Sequence, residues 1–218
     1  MRKLRARFEK KDRAKYISHL DLYRFMQRTF KKAGVSVWYT EGFNPRLYIM
    51  FPLALSLGYE GRCEVMDFNV NDENMPLDLI KEKLNSVLPD GIQIKEIYDF
   101  NMKHTLIAFS EYEIRISKDA DVISKEKFEE FMAQDEIVIQ KKTKQKTMKD
   151  VDIKPFSDIK EIKDEDELYI KIVMPSSQNG GYNPSLLLDA FFRFAGFEPE
   201  TVHIVRTDIL TDKGKSFR

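Results

Sequence analysis

The residues that could carry catalysis are few. The chain has three histidines and one cysteine. His19, His104 and His203 lie far apart and show none of the short spacings of metal ligands, so no metal centre is predicted. Cys63 stands alone, which leaves no disulfide framework and no cysteine cluster for zinc or iron–sulfur chemistry. In a strand-like run, its expected place is the core, as a small hydrophobe. Ser18, His19 and Asp21 have the residue types of a nucleophile–base–acid relay, but neighbours on one helical turn cannot align in that way. Ser18 and Asp21 fit better as an N-cap and its capping-box partner. His19 then remains open, either as a general acid or base or as a hydrogen-bonding residue at a helix start.

A second chemistry, anion recognition, has more residues behind it. Arg24, Arg28, Lys31 and Lys32 recur at helical spacing and form one basic stripe. That stripe is either a solvated face with cations well placed near a helix C-terminus or a surface for phosphates. The charge distribution bears on the choice. Residues 1–50 hold thirteen cations against four anions, in a chain whose total is zero. Such asymmetry is expected of a phosphate-binding face. Arg5 and Arg7 belong to it, on the polar side of an alternating segment.

The segment GFNPR, residues 42–46, is the least ordinary loop. Phe43 beside Arg46, with Tyr39 nearby and Tyr48 following, pairs stacking surface with a cation, which is what unpaired bases need. Asn44 would read a base edge or close the turn. The structural alternative is a hairpin turn with its aromatics tucked into the core. In residues 141–146, KKTKQK, Lys142 and Lys144 could reach backbone phosphates from a hairpin tip, or the run is simply solvated. Gly180-Gly181 precedes a helix, but no GxxxxGK[ST] pattern is present, so a plain loop is expected there.

These residues need elements to position them. RKLRARFE, residues 2–9, alternates as a half-buried strand with an exposed basic side. Ser18 at one end and Gly34 at the other bound a helix over 19–33, with Leu22, Phe25, Met26, Phe30 and Ala33 as its apolar stripe. A strand over 35–40, the GFNPR turn, an extended arm over 47–59, a strand over 63–70, a helix from Pro76 and a strand over 92–98 follow. That order is βαββαβ, the ferredoxin-like unit. The pattern then restarts, with a strand at 112–116, a helix at 125–133, a strand at 136–140, an irregular stretch at 151–163, a strand at 168–174, a helix opened by Pro184 and a strand at 202–210. The fold expected is α+β: tandem ferredoxin-like units with antiparallel sheets, residues 1–103 carrying the basic face and residues 104–218 forming the second unit.

The chain has 218 residues, 42% of them hydrophobic, enough to bury a core in one large domain or two small ones. No apolar run reaches the length of a membrane span, and residues 1–20 lack the apolar core of a signal peptide. A cytoplasmic protein that does not enter a membrane is the expectation.

At KYISHLDLYRFMQRTFKKAG, followed by WYTEGFNPR and LALSLGYEGRCEVMDF, the chain resembles the bacterial radical-SAM-linked protein family. Weaker marks are DVDIKP, NPSLLLDAF and VHIVRTDIL, so that the resemblance spans nearly the whole chain. That family occurs as a free small protein or fused behind a radical SAM module, often encoded near ribosome and RNA-processing components. Its motif positions fall on Ser18, His19, Leu20, Asp21, Arg24, Arg28, Gly42, Phe43, Asn44, Pro45 and Gly58. Where the family's loop continues with a second proline and a basic residue, this chain has Leu47 and Tyr48. The CxxxCxxC cluster is absent, so the resemblance implies no cofactor on this chain and places any radical chemistry on a separate enzyme. What it implies is an RNA-binding accessory protein, for tRNA or rRNA, working with a radical SAM RNA-modifying enzyme. The tandem layout also resembles CRISPR repeat-processing endoribonucleases, which keeps a metal-independent nuclease with His19 as acid or base in view. A protein-interaction adaptor without nucleic acid is the third reading.

Overall fold

The alternating residues at the start of the chain form β1 (Arg2–Lys10), with Leu4, Ala6 and Phe8 buried. The structure is a computed structural model that describes residues 1–100, 102–118, 123–142, 147–177 and 180–218. The chain divides into two compact units. Residues 1–107 and 206–218 make the first, and residues 108–205 the second. The sequence-based division at 103/104 differs from this in residues 104–107 and 206–218, which belong to the first unit.

In the first unit, Ser18 caps α1 (His19–Lys32): its Oγ accepts from the Asp21 amide at 3.2 Å and donates to the Asp21 carboxylate at 2.7 Å. The acid grips the hydroxyl rather than the cap's own amide, a variant of the capping box. Gly34, at φ +65°, ends the helix, and the Val35 amide reaches back to the Phe30 carbonyl at 3.2 Å. Leu22, Met26, Thr29 and Phe30 are the buried face, and the Phe30 ring meets Phe68 at 4.9 Å.

The strand expected over 35–40 does not form as a continuous element. Val37 makes one antiparallel bridge to Val70, and the chain then leaves the sheet. It returns as β2 (Ile49–Met50), which pairs Ile49 with Phe68 and Met50 with Asp67 of β3 (Glu60–Val70). The edge strand is thus interrupted by a hairpin. Gly42, at φ +121°, and Pro45, which has no amide to donate, suit the excursion and not a ladder. β1 pairs antiparallel with β3 on one side and with β4 (Ile92–Asp99), which follows α2 (Leu77–Asn85), on the other.

The second side of β1 is exposed at Lys3 and covered from Arg5 on, which corrects the expected basic face. Arg5 has no exposed surface. Its Nε and Nη2 donate to the two carboxylate oxygens of its cross-strand partner Asp67 at 2.6 and 2.8 Å. The rings of Phe100 and Phe217 lie 4.3 and 4.1 Å from its guanidinium carbon. Residues 206–218 and the stretch around Phe100 and Met102 cover this face, and Arg7 lies 3.7 Å from Asp208. A second buried ion pair also starts from β3. Arg206 holds both oxygens of the Glu64 carboxylate and donates to the carbonyls of Ala54 at 3.1 Å and Leu53 at 3.5 Å. A Cβ on Gly61 would run into that carboxylate, so the glycine makes room for it. Cys63 is buried nearby, and burial pushes its thiol well above the ordinary range, so it packs as a hydrophobe.

In the second unit, β5 (Ile107–Ser117) is followed by α3 (Lys125–Ala133), β6 (Val138–Lys142), β7 (Met148–Asp152), β8 (Asp158–Asp164), β9 (Glu167–Pro175) and α4 (Pro184–Ala195); β10 (Val202–Thr211) follows, with its residues from Arg206 on belonging to the first unit. β9 lies between β5 and β8, antiparallel to both. Phe128, Phe131 and Phe191 of α3 and α4 pack ring to ring at 5.1–6.0 Å. Two expectations fail here. The strand read at 136–140 is β6, but it pairs only with β7, in a separate two-stranded sheet. Residues 151–163, read as irregular, hold the end of β7 and most of β8. The apolar residues of β8, Ile159 and Ile162, are three apart because the register shifts between Ile159 and Glu161, which breaks the period-2 signal. The protein is α+β, with mostly antiparallel pairing and four α-helices among the described residues.

The Glu64–Arg206 pair predicts a two-stage mutational result. Arg206→Met leaves a buried carboxylate unpaired and lowers stability by about 3–5 kcal/mol. Glu64→Leu/Arg206→Met recovers most of that loss. Urea unfolding midpoints of the three proteins measure both.

Candidate nucleic-acid interface

The excursion between Val37 and Ile49 is a β-hairpin. The Tyr48 amide donates to the Trp38 carbonyl at 3.0 Å, and the Thr40 amide to the Arg46 carbonyl at 2.8 Å. The Arg46 amide closes the ladder on the Thr40 hydroxyl at 3.0 Å. Trp38 and Tyr48 meet edge to face at 5.8 Å across the arms. The five residues between Thr40 and Arg46 form the tip, and all of them are exposed. Phe43 is fully exposed, at 106% relative accessibility, and Asn44, Arg46 and, at 42%, Tyr39 are exposed with it. The alternative in which the loop aromatics tuck into the core is excluded for Phe43.

The hairpin is anchored to α1. Gln27 Nε2 donates to the Leu47 carbonyl at 3.4 Å, and Leu47 is buried. Further along, the His19 and Phe51 rings meet at 5.4 Å. These two contacts run the 47–51 segment antiparallel along the helix. The dimensions agree: eight helical residues rise about 12 Å, and four extended residues cover about 13 Å. Arg24 sits one turn before Gln27 and Lys31 one turn after it, so the basic stripe flanks the hairpin base. Arg24, Arg28, Lys31 and Lys32 are exposed. Arg24 is 3.7 Å from Asp21 across exposed surface, a weak pair; Arg28, Lys31 and Lys32 have no ion-pair partner among the described residues.

The structure therefore leaves Arg24, Arg28, Lys31 and Lys32 exposed on α1, and Tyr39, Phe43, Asn44 and Arg46 exposed on the hairpin whose base is bonded to that helix. It does not bring Arg5 or Arg7 to that surface, since both are engaged on the covered face of β1. The side chain of Lys142 and the whole of Lys144 lie outside the described residues. Their neighbour Lys141 donates to the Gly181 carbonyl at 2.6 Å and lies 3.9 Å from the Tyr182 ring centroid, so it packs within the second unit. Among the described residues no His, Cys, Asp and Glu side chains group as metal ligands, and no helix is long and apolar enough to cross a membrane.

At the start of α1, His19 is not part of a relay. Its ring packs edge-on against Phe51, and desolvation there, with the Lys10 ammonium as a second cause, holds its pKa below the ordinary histidine value; Glu64 pulls the other way and is outweighed. Lys10 is itself buried, with its Nζ donating to the Ile17 and Lys15 carbonyls at 2.8 and 3.3 Å. It ties down the loop that leads to the Ser18 cap. Sequence reasoning missed Lys10, and it missed the Glu64–Arg206 pair. The available signal was the acid pair Glu64 and Asp67 inside the apolar run CEVMDFNV, since buried acids need cationic partners.

Fold and surface together define an α+β protein with an aromatic and cationic hairpin set against a basic helix. Residues 3–184 match the model of DUF2344, described as an uncharacterised protein conserved in bacteria, and the chain belongs to that family. A comparison with curated proteins returns no match.

NMR titration of His19 is expected to give a midpoint below the ordinary value of about 6.5. Phe51→Ala, which admits water to the ring, moves the midpoint up. Because the folded pKa is depressed, the folded state binds the proton less readily than the unfolded chain. The His19 contribution to stability therefore falls as pH drops from the unfolded pKa through the folded one, and His19→Gln flattens that part of a stability–pH curve.

Proposed function

We propose that the protein is an RNA-binding accessory factor, taking tRNA or rRNA on the face formed by α1 and the 38–48 hairpin. The observation that carries this reading is an exposed Phe43 and Arg46 on a hairpin whose base is bonded to α1 by Gln27–Leu47, the helix that carries three exposed cations with no ion-pair partner among the described residues. A solvated charge stripe does not need an aromatic held out on a hydrogen-bonded hairpin. RNA does: exposed bases stack on aromatic faces while backbone phosphates follow the cations. Asn44 and Tyr39 flank the stacking residue and suit base edges or a second base.

The resemblance at SHLD and GFNP supports a division of labour in which this chain presents RNA and a separate radical SAM enzyme modifies it in the cytoplasm. The strand order β4-β1-β3-β2 in the first unit supports reading that unit as ferredoxin-like, with its edge strand opened to make the binding hairpin.

Binding of small RNA by the purified chain is expected to weaken linearly as log affinity against log salt. Phe43→Ala removes one stacked base, about 1–3 kcal/mol, or roughly 5- to 150-fold in affinity. Arg28→Glu/Lys31→Glu lowers the salt slope by about 0.7 for each phosphate that is no longer neutralised. Filter binding at several salt concentrations, with the RNA then run on a gel, reads all three. No binding at low salt sinks the proposal, and cut RNA that His19→Ala leaves intact replaces it with a nuclease.

A further inference from the structure

The other end of α1 carries a second exposed surface, and its chemistry differs from that of the hairpin. Tyr16, Leu20 and Leu57 are 67%, 55% and 62% exposed. Three contacts draw their segments together. The Gly58 amide donates to the Lys15 carbonyl at 3.0 Å, which sets Leu57 beside the Tyr16 turn. His19, next to Leu20, packs on Phe51 at the start of the same arm. Lys10 Nζ, from below, bonds the carbonyls of Lys15 and Ile17, on either side of Tyr16.

The base under this patch is over-determined. Asp12 is held at φ +52°, an uncommon conformation for a residue with a side chain, with its amide on the Glu60 carboxylate at 3.1 Å. The Lys11 amide donates to the Gly91 carbonyl at 2.8 Å, and a Cβ on Gly91 would meet the Lys11 carbonyl oxygen at 2.6 Å. The Leu53 and Ala54 carbonyls are held by the buried Arg206. Two loops are thus fixed by two buried cations and a strained aspartate, only to present three large apolar side chains to solvent. Strain and buried charge at a surface of this kind are characteristic of recognition sites.

Leucines offer nothing to a phosphate or a base edge, whereas an apolar centre with a polar rim is the anatomy of a protein interface. The rim here is basic on balance, two cations against the exposed carboxylate of Asp12. Lys11 and Arg13 are exposed and have no ion-pair partner among the described residues. We infer that Tyr16, Leu20 and Leu57 dock an acidic, amphipathic segment of a partner protein, whose apolar residues cover the patch and whose carboxylates meet Lys11 and Arg13. This site is separate from the RNA face and does not rest on it.

The test uses the full chain and a synthetic helical peptide of Glu, Leu and Ala in amphipathic order, with a Lys-for-Glu version as control, read by fluorescence anisotropy. The acidic peptide is expected to bind and the basic one not to bind. Leu20→Glu/Leu57→Glu, which alters only exposed positions and is checked for folding by circular dichroism, weakens binding by about tenfold or more. Lys11→Glu/Arg13→Glu weakens it too, and RNA affinity of the leucine variant stays unchanged. Absence of acidic-peptide binding, or binding that ignores the leucine variant, overturns the inference. So does loss of RNA affinity in that variant, which assigns the patch to RNA. Variant-sensitive binding to anionic phospholipid vesicles, or variant-sensitive dimerisation in sedimentation, overturns it in favour of a membrane surface or a second copy.

Discussion

The buried pair between Glu64 and Arg206 is the interaction on which the first unit turns. The two residues are 142 positions apart, so the pair forms only when the end of the chain returns to β3. Two desolvated ions are a poor source of net stability. Their value lies in selectivity of arrangement: once the acid is buried, only one partner satisfies it, and the same guanidinium has hydrogen bonds left for the carbonyls of Leu53 and Ala54. The arm that follows β2 is thereby held, and with it Phe51, which sets the environment of His19. Arg5 and Asp67 form the other buried pair, between β1 and β3, with a bond to the Met102 carbonyl and with Phe100 and Phe217 closing over the guanidinium.

A rigid frame of this kind lets the unit expose what a soluble surface usually avoids. A phenylalanine in water at a hairpin tip gives up about 1.5–3 kcal/mol of burial. The hairpin can carry it because its arms are laddered, its aromatic pair Trp38–Tyr48 packs across them, and Leu47 is buried against α1. The exposed apolar residues of this unit's α1 region fall into two groups with different surroundings. Phe43 stands on a polar hairpin tip, while Tyr16, Leu20 and Leu57 lie on segments that meet at the helix start. Two kinds of surface are thus offered from the two ends of a single helix.

Much of this was legible in local pattern. Ser18, Asp21 and Gly34 announced α1 because capping chemistry acts within one turn. The Leu22, Met26 and Phe30 spacing announced its buried side for the same reason. The basic stripe and the GFNPR turn could be read as candidates since both are made of neighbours in the chain. What could not be read was any feature whose partner lies far away. Arg5 looked like a solvent-facing residue because alternation assigns it to the second face of β1, and alternation is silent on whether that face is covered. β8 escaped notice because a bulge shifts its apolar residues out of period, and β6 was placed in the wrong sheet because a strand's sequence does not name its neighbour.

The sequence by itself determined the α+β class, the helix α1 with its caps and two faces, and the concentration of cations in residues 1–50, all of which follow from short-range sterics, hydrogen bonding and composition. Tertiary structure alone decided which of those cations are free. It took Arg5, Arg7 and Lys10 out of play by burial or pairing, left Arg28, Lys31 and Lys32 in water, and opened an edge strand into a hairpin that exposes Phe43 and Arg46 and is bonded at its base to the same helix. The reason is that a charge's role depends on its solvation, and solvation is set by whatever residues the fold brings within a few ångströms, however distant they are along the chain.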